Sequence, residues 1–495
     1  MRIAIVLVAC AMSCATASAA PNPPVVPDAP DLPGAAGGPE ARETATAPAS
    51  TVEPVAPVAP VTPLLPMPAV APAANPAPTD VRPLTGFAVR GESEVKPRTV
   101  GYLAHVSIGD RISTADLPRI EQALLSSELF KTVSANLEPA PGDPSPGFLL
   151  VVTAVDKHSW IAAPTAFALP GNLAFGLGYA ENNFRGLDQK FLLYGQIGTR
   201  NSLFLGSFLD PAYHGTKLTW RTDLYLFRRE IGEYANPAAD PTSFAIDRTT
   251  TATYLGGGAL IGWNFLWWLA ADLRLRGAYV YFRDARDATG QSVARPEKDG
   301  WDITLQAHLT LDHRHHRYGV TWGSYAQLDL EPSIPGLDTY GYQLLMLRAY
   351  QSWRFFEEHE LELRVHGNVG RHLPLHEDLT LGGVSDLRGY DVDQFRGDVR
   401  GVFRAEYSVP LFKWRFLAFR ALGFYDTGYV GFHSRRDDRV FLPNQLGDGY
   451  VRSDVGGGLR IYLNNIVLPL LGLDLGYGIE GHSPEIYFEV GLTDF

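Results

Sequence analysis

The feature that most constrains this chain is a polar–apolar alternation of period two that begins near residue 158 and recurs to the C-terminus. Ile303, Leu305, Ala307, Leu309 and Leu311 fall on one parity, and Asp302, Thr304, Gln306, His308, Thr310 and Asp312 on the other. Leu269, Ala271, Leu273, Leu275, Gly277, Tyr279 and Tyr281 alternate with Ala270, Asp272, Arg274 and Arg276. Near the end, Leu471, Leu473, Leu475, Tyr477 and Ile479 alternate with Gly472, Asp474, Gly476 and Gly478. In a strand the two sets stand on opposite faces of a sheet. Here the polar parity carries frank charges and the apolar parity is often closed by aromatics. That pairing predicts a membrane β-barrel, with lipid outside, water inside and aromatic girdles at the interfaces. A soluble sandwich alternates in the same way but rarely for so long.

Sixteen antiparallel strands are read between Trp160 and Phe495, an even number as in bacterial barrels. Long connections follow the fifth, seventh, eleventh and thirteenth of them, at 229–248, 284–300, 374–400 and 432–450. Those after even strands are short, as at 412–415 and 464–466. Long loops on one side and short turns on the other is the asymmetry of an outer-membrane barrel. No stretch reaches the ~18 uninterrupted apolar residues of a spanning helix.

The N-terminal part differs. Residues 1–20 read as a secretory signal, with Arg2, the apolar run Ile3–Ala9 and the small-residue site Ala17-Ser18-Ala19. Leu7-Val8-Ala9-Cys10 loosely fits a lipid-attachment box, and either reading exports the protein. The only cysteines are Cys10 and Cys14, so a chain that loses this segment has no disulfide framework. Residues 21–82 are dominated by Pro, Ala, Val and Thr and read as an extended, disordered tether. The formal net charge of −12 argues against nucleic acid as a partner, because phosphate binding needs a basic face.

Residues 83–157 read as a small α+β domain of order β-α-α-β-β. Phe87–Gly91 is the first strand, and a helix covers Arg98–His105. A second helix starts near Thr114, with Leu117, Ile120, Leu124 and Leu125 at helical spacing. Thr132–Glu138 and Phe148–Asp156 are two further strands.

Several motifs then carry a resemblance. Gly382-Gly383-Val384-Ser385-Asp386-Leu387-Arg388-Gly389-Tyr390 resembles the signature loop of the BamA/TamA-type outer-membrane assembly family, also called the bacterial surface antigen family. Arg404–Leu411, Gly423-Phe424-Tyr425-Asp426-Thr427-Gly428, Gly456–Arg460 and Leu473–Tyr477 follow in that family's order. Upstream, Glu181-Asn182-Asn183-Phe184-Arg185-Gly186 resembles its second-strand turn, and the small domain resembles a polypeptide-transport-associated (POTRA) domain. There are two departures. One such domain is found where assembly members typically have several. In the final strand, Ile486, Phe488, Val490 and Leu492 alternate, but Asp494 breaks the pattern and Phe495 is out of step.

Parity alone puts Phe403, Ala405, Tyr407 and Val409 toward lipid, and Arg404 and Glu406 toward the lumen. Asp426 shares the parity of Arg420 on the next strand. An inward fold of the long loop would bring Arg388, flanked by Leu387, Gly389 and Tyr390, against Glu406 and Asp426. The resemblance implies that contact, with the role of holding loop and wall in an active geometry.

The resemblance also implies a place in the outer membrane of a Gram-negative bacterium, with the small domain in the periplasm. Its partners would be outer-membrane lipid, unfolded client proteins and periplasmic accessory proteins. Clients would add a strand to the small domain's sheet edge near Phe148–Asp156. They would then enter at a seam between the first strand (Trp160–Leu169, with Pro164) and the last (Ile486–Phe495), marked by Trp160, Phe488, Val490 and Phe495. A secretion pore for one dedicated protein and a passive channel are the alternatives.

No cofactor or metal is expected, and no catalytic motif stands out. Asp312-His313-Arg314-His315-His316-Arg317 reads as a solvated turn, and His366 and His372 as lumen polar residues.

Overall fold

The computed structural model describes residues 80–490 apart from 128, 143–146, 170–171, 235–244, 318–319, 357, 384, 416, 443–444, 446–448, 464–468 and 483. The signal segment, nearly all of the tether and Phe495 lie outside the described residues. Among those described, no helix is long and apolar enough to cross a membrane.

The small domain is a four-stranded sheet with two helices on it. Its strands are β1 (Arg82–Glu92), β2 (Arg111–Ile112), β3 (Phe130–Pro139) and β4 (Phe148–Asp156), in the order β2-β1-β4-β3. Helix α1 (Pro97–Leu103) starts at a proline, whose fixed φ suits a first helical turn. It stops before His105, which takes φ +54°. Helix α2 (Leu117–Ser126) follows a 3₁₀ turn in which Asp116 accepts from the Ser113 amide at 2.9 Å. Ser113 caps that turn, and Asp116 is the N-cap of α2. Leu117, Ile120 and Leu124 are buried on the sheet with Val100, Phe130, Phe148 and Leu150, whereas Leu125 is exposed.

Two expectations need correction. The two-residue strand β2 makes the order β-α-β-α-β-β, and so short a segment carries no periodicity to read. More consequentially, β4 is not an edge. It lies between β1, which it pairs in parallel, and β3, which it pairs antiparallel. The open edges belong to β3 and the short β2.

The large sheet is an antiparallel meander. Its strands are β5 (Trp160–Leu169), β6 (Asn172–Phe184), β7 (Gln189–Gly198), β8 (Asn201–Asp210), β9 (Leu218–Tyr234), β10 (Ile246–Leu266), β11 (Leu269–Asp287), β12 (Gly300–Asp312), β13 (His315–Arg317), β14 (Val320–Pro332), β15 (Gln343–Phe355) and β16 (His359–Arg371). A two-stranded hairpin, β17 (Leu379–Leu381) and β18 (Phe395–Gly397), interrupts it. The meander resumes with β19 (Val399–Trp414), β20 (Leu417–Gly431), β21 (Tyr450–Leu463), β22 (Pro469–Gly478) and β23 (Pro484–Val490). Burial follows the alternation: Leu273 and Leu275 are 49% and 52% exposed, while Arg274 and Arg276 are 1% and 3% exposed. Along this stretch the outer face is apolar and the inner face charged, the inverse of a soluble core. The Asp312–Arg317 run sits at a turn, where His313 stacks on Trp268.

The small domain is joined to one rim of this sheet. The Gly186 carbonyl, in the β6–β7 turn, accepts from the Lys96 amide at 2.8 Å and the Thr99 hydroxyl at 3.2 Å. Gly186 has φ +72°, and a Cβ there would lie 2.0 Å from the Glu94 carbonyl oxygen. Beside it, burial pushes the Asp188 carboxyl up to about 6, with Lys190 drawing it back down. Burial and then the Asp188 and Asp210 carboxylates push the Tyr102 phenol up.

Gly186→Ala is expected to cost about 1–3 kcal/mol at this joint. The test is exchange of the Lys96 amide, which speeds up while α2 stays protected. Asp188 also gives the joint a pH dependence. A carboxyl held above its unfolded value contributes most when protonated, so the joint is tightest below pH 4 and loosens as pH rises through about 6. Asp188→Asn is expected to flatten that dependence in the same measurement, after correction for intrinsic exchange.

Candidate functional site

Four adjacent strands build the inner-face floor on which the β17–β18 hairpin lies. Their register aligns Glu406 with Phe424, Gly456 and Gly476 in one row across β19 to β22. The next row is Arg404, Asp426, Asp454 and Gly478. A third brings Ser408, Leu422, Gly458 and Asp474 together. Carboxylates thus stand beside a strip of glycines, and the strip leaves room for another chain segment.

The hairpin fills that room. Gly382 and Gly383 take φ +118° and +95°, a conformation that only glycine adopts freely, and turn the chain inward. Leu387, Tyr390 and Phe395 bury themselves with Leu381, Val402 and Val430. Arg388 is 1% exposed. Its Nε and Nη2 donate to the two oxygens of Asp426 at 2.7 and 3.1 Å. Its Nη1 donates to Glu406 at 2.8 Å and to Asp474 at 3.3 Å. The guanidinium carbon sits 3.4 Å from the centre of the Phe424 ring, a cation–π contact. Arg404 supports Asp426 at 3.3 Å, and Arg460 holds Asp474 at 2.8 Å. A bidentate, desolvated guanidinium–carboxylate pair is the strongest common form of such a bond.

The motif's neighbours are fixed as well. The Gly389 amide donates to Asp454 at 2.9 Å. A Cβ on Gly389 would fall 2.4 Å from the Gly478 nitrogen, and one on Gly476 would fall 2.0 Å from the Arg388 carbonyl oxygen. The Tyr390 hydroxyl donates to Glu480 at 2.5 Å, and its carbonyl accepts from Tyr487 at 2.5 Å. Asp386 pairs with Arg400 at 3.0 Å. On the opposite wall, Asp393 pairs with Arg229, and Tyr234 donates to Asp391 at 3.0 Å. The hairpin therefore spans the interior from β9 to β22.

Its base has a second anchor that the sequence did not reveal. Asp302, His376 and Glu377 offer ligand atoms within 4.8 Å of one another. Arg276 occupies that cluster, donating to both Asp302 oxygens and to Glu331 at 2.9 Å, and to Glu377 at 3.3 Å. The cationic seat is thus filled by the protein itself. Arg439 pairs with both oxygens of Asp378 nearby. His366 lies on the inner parity of β16 beside Arg348, and the His372 amide donates to Ser434 at 2.9 Å.

Of the residues assigned to the seam, Phe495 lies outside the described residues. Trp160 heads β5, is 47% exposed and stacks with Tyr179. Phe488 and Val490 lie in β23, opposite Leu473 and Leu471. Phe424, Asp454, Asp474, Arg460 and Tyr487 are contacts beyond Glu406 and Asp426. Phe424, Arg460 and Asp474 stand in motifs that carry the resemblance, and Asp474 also shares the inward parity of Gly472 and Gly476, whereas nothing local marks Asp454 or Tyr487.

An antiparallel sheet, greasy outside and charged within, with an arginine-tipped hairpin folded onto its inner wall, defines a class of outer-membrane β-barrel. The family model for the Omp85 superfamily domain matches residues 183–493, and the chain belongs to that superfamily. Its members are outer-membrane β-barrels that assemble or transport proteins. Among solved structures, the fold is similar to BamA from Haemophilus ducreyi lacking POTRA domains 1–3. That match has 13% identity and TM-score 0.56, over 82% of this chain and 84% of the other. CdiB from Acinetobacter baumannii is similar at 14% identity and TM-score 0.53, over 82% and 73%. No curated protein matches.

Arg388→Ala strips Glu406, Asp426 and Asp474 of a shared cation in a desolvated place, at an expected cost of about 3–5 kcal/mol. The hairpin is then expected to become protease-sensitive between 382 and 394, and the folded form to convert at lower temperature on gels. Arg388→Lys keeps the charge without the fork and is expected to fall between.

Proposed function

We propose that this protein inserts or assembles client proteins at the outer membrane through a seam in its wall, with the hairpin holding that wall in working geometry. The observation that carries this reading is the occupied interior. The β17–β18 hairpin is tied to β9 on one side and to β19–β22 on the other. A passage so filled favours entry at the wall over flow along the axis, and so disfavours a passive channel.

The seam lies between β5 and β23 in a barrel of sixteen strands. In support, the strand order is cyclic, with β23 beside β5. Moreover, β13 continues the line of β12 along β14, so the two count as one position. Unpaired backbone is costly in hydrocarbon, so a client strand that pairs with a parted edge is stabilised. Pro164, within β5, has no amide to give such a ladder. The small domain faces the periplasm and receives extended clients at its open β3 edge rather than at β4. Glu406, Asp426, Leu387, Arg388, Gly389 and Tyr390 serve as the anchor rather than as reacting groups.

Depletion followed by a census of outer-membrane barrels tests the reading. A general loss of barrels is expected. Loss of a single secreted protein would instead establish dedicated secretion, and an unchanged census would leave a channel. A disulfide engineered between β5 and β23 is expected to halt client insertion by the purified protein in vesicles, reversibly on reduction.

A further inference from the structure

We propose that Tyr487 is a positioning residue that ties the last strand to the hairpin tip, so that β23 swings away from the wall only when this tie releases. The inference rests on the reading that the wall opens beside β23, and it names what regulates that opening. Tyr487 lies opposite Asp474 in the β22–β23 ladder, on the inner parity of β23, and is buried. Its neighbour Ile486 is 69% exposed on the other face. The phenol therefore points at the hairpin, where it donates to the Tyr390 carbonyl at 2.5 Å.

The acceptor is well placed to act as an anchor. The same carbonyl accepts from the Gly383 amide at 3.1 Å, which closes the tip on itself. The tip is in turn seated on β21 and β22 by the Gly389–Asp454 bond and the close approach over Gly476 and Gly478. The Tyr390 hydroxyl bonds Glu480 in the turn leading to β23, and Glu480 also accepts from the Ser453 amide at 2.9 Å. The tip thus grips the beginning of the β22–β23 hairpin through Glu480 and its second strand through Tyr487. Among the described residues, Tyr487 is the β23 side chain with a hydrogen bond to the hairpin.

The consequence is directional. With Arg388 seated, the tip is fixed and the phenol has a fixed partner, which holds β23 against β22. If the tip lifts, the buried hydroxyl loses its acceptor and, among the described residues, β23 is left with its ladder to β22 on this side. The arginine cluster and the seam then communicate through one phenol, although Arg388 makes no described contact with β23.

The test is hydrogen exchange on the full chain in bilayer nanodiscs, comparing the native protein with Tyr487→Phe, which removes one oxygen and keeps the ring. Exchange in 484–490 is expected to quicken about five- to tenfold, the range for one buried hydrogen bond. Exchange in 450–463 and the heat-dependent gel shift should stay as they were. Gly476→Ala, which pushes on the Arg388 carbonyl from below, should loosen 484–490 in the same way with Tyr487 intact. Unchanged exchange in 484–490 in the Tyr487→Phe protein would overturn the tie, as would an equal rise across 450–463. Client insertion into vesicles, measured on the same samples, separates the two ideas. Faster β23 exchange with altered insertion supports both, whereas faster exchange with unaltered insertion keeps the tie and removes the seam from the mechanism.

Discussion

A guanidinium taken out of water is tolerable only if carboxylates replace its hydration, and the architecture around Arg388 answers that one requirement. Three acids from β19, β20 and β22 converge on it, an aromatic ring lies against its face, and Arg404 and Arg460 balance the excess negative charge. Buried ion pairs of this kind are weak evidence for stability, because desolvation consumes most of the Coulomb gain. They do select one arrangement sharply. A hairpin displaced by a single residue would leave cation and anions both buried and apart. The glycine strip serves the same selection by steric means, since the backbone of Arg388 and Gly389 rests where β-carbons would otherwise stand.

The second anchor repeats this logic with different partners. Arg276 gathers Asp302, Glu331 and Glu377, while Leu373, Leu375 and Leu379 enter an apolar cluster with Phe227, Tyr254, Val280 and Phe282. The hairpin is thus fastened at its tip by charge and at its base by charge and apolar packing together. A segment fastened at both ends moves as a unit or not at all, which suits a part that reports the state of the wall.

How much of this was legible depends on range. The face on which a side chain stands follows from parity, a property of neighbours, so Arg274, Arg276, Glu406, Asp426 and Asp474 were readable as inward. The inward turn of the long loop was implied only by the resemblance that its motif carries, and the positive φ of Gly382 and Gly383 is what accomplishes it. Which acids the arginine meets beyond the nearest two was not, since Arg388 and Asp474 are brought together by curvature across strands. The Arg276 cluster was hidden for the same reason: its members come from β11, β12, β14 and the loop base. The β4 edge was misread because a parallel pairing between β1 and β4 joins segments with two helices between them, and nothing local announces it.

The longest strands carry a final implication. A tilted strand crosses a bilayer in about 9–11 residues, yet β10 has 21 and β9 has 17. Their lower outward positions are Leu224, Leu226, Leu255, Ile261 and Trp263, while higher up the same face shows Arg228, Glu230, Asp247, Thr249 and, on β11, Arg283. Inside, Arg221 and Arg274 stand below, and higher up Phe227, Ile231, Tyr254 and Phe282 are buried among the paired charges of Arg229, Glu233 and Arg248. The wall changes character partway along: its outer face passes from an apolar band to a polar one, while within the upper stretch apolar packing and paired charges share the space. A wall taller than the apolar band gives the base of the hairpin, through Leu373, Leu375 and Leu379, a fixed footing beyond that band.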